Sequence, residues 1–245
     1  MSETIALQAG DTEFDVHLAR PAGHPRGGLV LIHEIWGLVD HIRDVADRFA
    51  AEGWLVAAPD ILSHAGVGPA LGADLFAALN SPDEAARTAA QPRLREALAT
   101  AKAPEYADWA THALRTTVDL LEASPGVGEH IAVAGFCFGG TYAFALAAAD
   151  DRIRAAVPFY GTAPEAERIP RIACPVLAIY GQHDPALIDA LPTVRDEMAA
   201  AGIDFEAVVY PDAAHAFFND RGLRYRAEDA ADAWDRVLRF LETHV

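Results

Sequence analysis

Cysteine is nearly absent: the two residues in 245, Cys137 and Cys174, cannot make a disulfide framework, so a fold that depends on such staples is excluded. Basic residues are scarce as well. The 19 Lys and Arg are scattered among 36 Asp and Glu, for a formal net charge of −17, so the clustered cations that grip nucleic acid or an anionic membrane are missing. No stretch reaches the roughly 18 uninterrupted apolar residues of a membrane span. The start, MSETIALQAGDTEFDV, has neither the basic n-region nor the apolar h-region of a secretion signal, and the expectation is a cytoplasmic protein. No internal repeat occurs, and no two histidines stand at metal-ligand spacing with acidic support. Neither a metal nor a cofactor is therefore expected.

What is present is a chain with 52% hydrophobic and 22% charged residues, which fits one large soluble domain over residues 1–245. Short apolar runs bounded by Gly, Pro and Asp recur as ETIALQ, EFDVHLA, GGLVLIH, WLVAAPD, HIAVAGF, RAAVPFYG, PVLAIYG and FEAVVYP. From the third onward they alternate with segments of helical periodicity at residues 41–51, 106–122, 139–149, 188–201 and 225–243. This predicts an α/β protein with a mostly parallel eight-stranded sheet, helices on both faces, and the first two strands as an antiparallel hairpin at one edge. In the last helix Trp234, Val237, Leu238 and Leu241 fall at core-packing spacing. Residues 62–104 form an Ala-rich, Pro-punctuated region carrying Arg87, Arg93, Arg95 and Lys102, readable either as a lid or pocket wall or as two ordinary surface helices.

The stretch AVAGFCFGGTYAFALA places a strand, a Gly-x-Cys-x-Gly turn and a helix in immediate succession, the pattern of a nucleophile elbow with Cys137 at its apex. Gly135 and Gly139 let strand and helix approach, and the helix N-terminus favours a thiolate. Cys174, entering the strand of ACPVLAIYG, reads as a small core residue. Two partners come later in the order of an α/β-hydrolase: Asp184 in YGQHDP and His215 in PDAAHAFFND, each on a loop after a strand, where an acid can orient a catalytic imidazole. His183 beside Asp184 reads as a loop residue.

With these residues in place the chain resembles the dienelactone hydrolase family of α/β-hydrolases. The resemblance is carried by HEIWG at 33–37, APD at 58–60, GFCFGG at 135–140, PFYG at 158–161, GQHD at 181–184 and AHAFFND at 214–220. It implies that Glu34 lies beside Cys137 and accepts the thiol proton when substrate binds, with His215 and Asp184 supporting the thiolate. It further implies an oxyanion site made by the backbone N–H groups of Phe138 and Ile35. Read from the sequence alone, Glu34 could equally bond to loop amides.

The expected activity is hydrolysis of a small ester or lactone through an acyl-enzyme thioester. A thiol esterase or thioesterase for a neutral substrate, and a non-catalytic binding module on the same fold, stand as alternatives. Trp36, Tyr160 and Phe217, with Phe138, are candidates for the substrate pocket wall or for the core. The family places a carboxylate-gripping arginine four residues beyond the catalytic His, where this chain has Asn219, so Arg87, Arg93 and Arg95 are the candidate anchors for an anionic substrate. A monomer or homodimer is expected.

Overall fold

Runs rich in Val, Ile, Leu and Ala are hydrophobic on both faces and need cover on both sides, which a central parallel sheet receives from its crossover helices. The computed structural model describes residues 1–245. Its strands are β1 (Ser2–Ala9), β2 (Thr12–Ala19), β3 (Gly28–Ile32), β4 (Leu55–Pro59), β5 (Ile131–Phe136), β6 (Ile153–Phe159), β7 (Val176–His183) and β8 (Phe205–Ala214). They form one sheet in the order β1-β2-β4-β3-β5-β6-β7-β8. Strands β3 to β8 pair in parallel, while β1, β2 and β4 pair antiparallel, so the edge hairpin stands where the sequence places it. This is the mostly parallel eight-stranded α/β sheet that the sequence predicts.

The helices are α1 (Asp40–Ala51), α2 (Pro69–Leu79), α3 (Glu84–Ala97), α4 (Pro104–Glu122), α5 (Phe138–Ala147), α6 (Pro185–Ala200) and α7 (Ala227–His244). None is long and apolar enough to cross a membrane. Alternation along the strands divides the core into two layers. Val30, Ile32, Val133 and Ala178 face α4, α5 and α6, whereas Leu29, Leu31, Ala134 and Ile179 face α1 and α7. Of the α7 stripe, Val237 and Leu241 are fully buried, and Trp234 packs against Phe49 with ring centroids 4.3 Å apart. Each such buried aliphatic contributes on the order of 1.5–3 kcal/mol.

Helix starts differ from the sequence pattern for local reasons. Helices α4 and α6 begin earlier because Pro104 and Pro185 occupy the first turn, where the missing N–H is no loss. Helix α7 begins later: Arg226 is extended (φ −129°, ψ 103°) and its N–H donates to the Phe217 carbonyl. Residues 62–104 contain the mutually packed α2 and α3, with Asp83 capping α3 through a bond from the Ala85 N–H. The segments after β3, β5, β7 and β8 all leave the same edge of the sheet, which gathers their first residues into one crevice.

Candidate active site

Cys137 directly follows β5 and precedes α5, with φ 57° and ψ −112°. Only close backbone approach permits this turn. A Cβ at Gly135 would stand 2.1 Å from the Gly139 carbonyl oxygen, and one at Gly139 would stand 2.2 Å from that of Ile32. The non-glycine residues with positive φ are Cys137, Tyr160 (37°) and Ala216 (65°), and all three border the crevice. Strain of this kind persists where the surrounding structure enforces it, and it concentrates at working sites.

Strand register brings the second pair of residues together. β7 and β8 run two or more residues longer than their apolar cores and pair His183 with Ala214 beyond a β-bulge. Asp184 and His215, each one residue further on, are therefore neighbours, with His215 Nδ1 2.5 Å from Asp184 Oδ2. Burial pulls the His215 pKa down, but the Asp184 hydrogen bond, the hydrogen bond and charge of Cys137 and the charge of Asp184 outweigh it and push it up to about 10. The imidazole thus carries its proton at neutral pH. His183 itself is exposed.

Glu34 comes shortly after β3 and is 1% exposed. Desolvation lifts its carboxyl to about 7, against the opposing effects of a hydrogen bond from Asn219 and the charge of His215. The Asn219 Nδ2 donates to Glu34 Oε2 at 2.6 Å. The backbone is held by His33, whose Nε2 accepts the Ile61 N–H at 3.2 Å, leaving Nδ1 to donate to the Glu34 carbonyl at 2.8 Å.

Two lobes of one crevice meet at Ile35, Cys137 and His215. The larger, about 650 Å³, is lined by Glu34, Trp36, Phe76, Asn219 and two arginines, Arg87 and Arg224. The smaller, about 370 Å³, is mostly apolar and includes Phe138, Tyr160 and Leu187, with Lys102 at its margin. Helix α3 supplies Arg87, Gln91 and Leu94 from one face, so residues 62–104 act as a pocket wall built from surface helices. Arg93 and Arg95 project from other faces of α3 and line neither lobe; Arg93 pairs with Asp74 at the surface. Phe217 also lies outside the crevice, fully buried against Tyr210 and Tyr160, because its ring completes the core under α7. Cys174 is 5% exposed and burial pushes its thiol up to about 12, as suits an inert core residue.

Sequence reading missed Arg224, which is exposed on the segment before α7 and has no acidic partner. It also missed His33, whose place in HEIWG was the available signal. Arg221, close to Asn219 in sequence, lines a separate cavity of about 430 Å³ on the far side of Asn219.

The model of the Dienelactone hydrolase family matches residues 14–245. A protein of Saccharolobus solfataricus provisionally named carboxymethylenebutenolidase is 31% identical, with 98% of each chain covered. One of the same provisional name from Yersinia pestis is 29% identical over 99% of this chain and 88% of its own. The crystal structure of a provisionally named dienelactone hydrolase from Klebsiella pneumoniae superposes with a TM-score of 0.84 at 26% identity, covering 100% of this chain and 99% of the other.

Proposed function

The chain belongs to the dienelactone hydrolase family of hydrolases, and from that premise we propose that it cleaves a small ester or lactone bearing a carboxylate, with Cys137 as nucleophile. The observation that carries this reading is the His215–Asp184 contact of 2.5 Å opening onto the crevice in which the strained Cys137 stands. With a pKa of about 10, His215 already carries its proton at neutral pH and has no site left for the one on the thiol, so that proton needs another acceptor. Glu34, with a carboxyl near 7 on the same lobe, supplies one.

Substrate binding brings the carbonyl to Cys137, the thiol proton passes to Glu34, and the sulfur attacks the carbonyl carbon. The resulting oxyanion accepts the N–H groups of Phe138 and Ile35. Phe138 is the first residue of α5 and Ile35 lies in a loop, and neither amide has an acceptor within the protein. Collapse expels the alkoxide or enolate and leaves a thioester on Cys137. In a lactone the expelled oxygen stays on the acyl chain, where it takes a proton from water as that water attacks the thioester. Thiolate leaves, recovers its proton from Glu34, and the cycle closes.

Arg87 and Arg224 favour an anionic substrate. The Arg87 guanidinium touches only the Ser81 and Pro82 carbonyls, and Glu34 is the sole carboxylate on that lobe. The test is turnover of anionic and neutral ester panels by the wild type and Cys137→Ala. Loss of all turnover with an unchanged circular dichroism spectrum supports the reading; undiminished turnover in the variant overturns it.

A further inference from the structure

Tyr160 ends the PFY run just after β6, and a hydroxyl there is costly. The residue is 1% exposed and its oxygen has no hydrogen-bond partner, whereas buried polar groups are almost always partnered. A phenylalanine would fill the same space without that cost. The backbone is constrained too: φ is 37°, with the N–H tied to the Ile179 carbonyl at 2.7 Å. The ring leans on His215, with centroids 4.9 Å apart, and borders the lobe that contains Cys137. The charges that bear on this hydroxyl, beyond burial, are those of Glu34 and Cys137. Other unpartnered buried groups, among them Trp54 Nε1 and Trp109 Nε1, border neither lobe.

We propose that the Tyr160 hydroxyl is a hydrogen-bond donor reserved for the ionised sulfur of Cys137. The inference rests on Cys137 being the nucleophile. When the thiol proton moves to Glu34, the carboxyl becomes neutral and remains held by Asn219, while the sulfur becomes the one new anionic acceptor in the crevice. Hydrogen bonds to an ionised acceptor are about twice as strong as neutral ones, so the idle hydroxyl gains its partner at the step where charge forms. The proton stays on the phenol throughout; only the hydrogen bond is made and broken. Tyr160 thereby lowers the proton affinity of the nucleophile at the moment of attack and leaves the resting thiol untouched.

The experiment is the pH profile of Cys137 alkylation by iodoacetamide, tracked by mass spectrometry of the Cys137 peptide, in the wild type and Tyr160→Phe. Glu34, His215, Asp184, Lys102, Arg87 and Arg224 are the other charged groups facing this crevice, and the variant keeps them all. The expected result is a midpoint moved to higher pH, a rate at pH 7 lowered about tenfold, and a Tm equal to or above that of the wild type, because an orphan hydroxyl is gone. Superimposable profiles overturn the proposal. Incorporating 3-fluorotyrosine at position 160, a stronger donor of nearly the same shape, should move the midpoint the other way; an unmoved or upward midpoint there also overturns it. Alkylation needs no substrate, so a protein that hydrolysed no ester in any panel would still answer this question separately.

Discussion

Asn219 and Glu34 lie 185 positions apart in the chain, yet Asn219 Nδ2 donates to Glu34 Oε2 at 2.6 Å. The contact ties the segment after β8 to the loop after β3 and holds the carboxylate on the wall of the larger lobe. It also holds down the proton affinity of a carboxyl that burial otherwise drives upward.

Removing the donor should therefore change the pH dependence. In Asn219→Leu the Glu34 carboxyl rises above about 7, the ionised fraction at neutral pH falls, and kcat/KM at pH 7 drops about tenfold. The acid limb of the profile moves to higher pH and activity recovers near pH 9. A uniform loss at all pH values would assign Asn219 a purely structural part.

Glu34 makes a prediction about stability as well. Its folded-state pKa, about 7, lies above the ordinary 4.5, so the folded protein binds this proton more tightly than the unfolded chain. Its contribution is fully present below pH 4.5 and lost as pH rises through 7. Urea unfolding of Glu34→Gln against wild type should show the variant gaining roughly 3 kcal/mol, at most, between pH 4 and pH 8. A constant difference across that range would contradict the assignment.

The two arginines on the larger lobe predict selectivity. Arg224→Ala and Arg87→Ala should each raise KM for an anionic ester about tenfold and leave a neutral ester nearly unchanged. Arg93→Ala, on another face of α3 and paired with Asp74, should alter neither. Steady-state kinetics on matched ester pairs decides this.

Gly139→Ala tests the geometry of the elbow. Its Cβ would lie 2.2 Å and 2.6 Å from the backbone oxygens of Ile32 and His33, which cannot swing aside as a side chain could. The expected loss exceeds about 3 kcal/mol in denaturant unfolding. Gly23→Ala, with nothing within 4 Å of the new atom, is the control and should fall within about 0.5 kcal/mol of wild type.

The sheet, its covering helices and the edge hairpin were legible because each strand's apolar run and each helix's 3.6-residue pattern are local properties. So was the elbow, since Gly135, Cys137 and Gly139 are confined within five residues. Helix ends were less so, because Arg226 is held out of α7 by a bond to Phe217 that no periodicity reveals.

The sequence by itself determined that Cys137, Asp184 and His215 each come just after a strand, and parallel strands deliver the residues beyond their C-terminal ends to one edge of the sheet. Tertiary structure decided the rest. The bulged pairing of His183 with Ala214 set Asp184 against His215. The rotation of α3 turned Arg87 inward and left Arg93 and Arg95 on other faces, a choice its weakly apolar sequence does not signal. Packing sent Phe217 into the core and left the Tyr160 hydroxyl without a partner beside the crevice. Contacts between residues distant in the chain depend on how finished elements stack, and that information is held in the packing of the whole molecule.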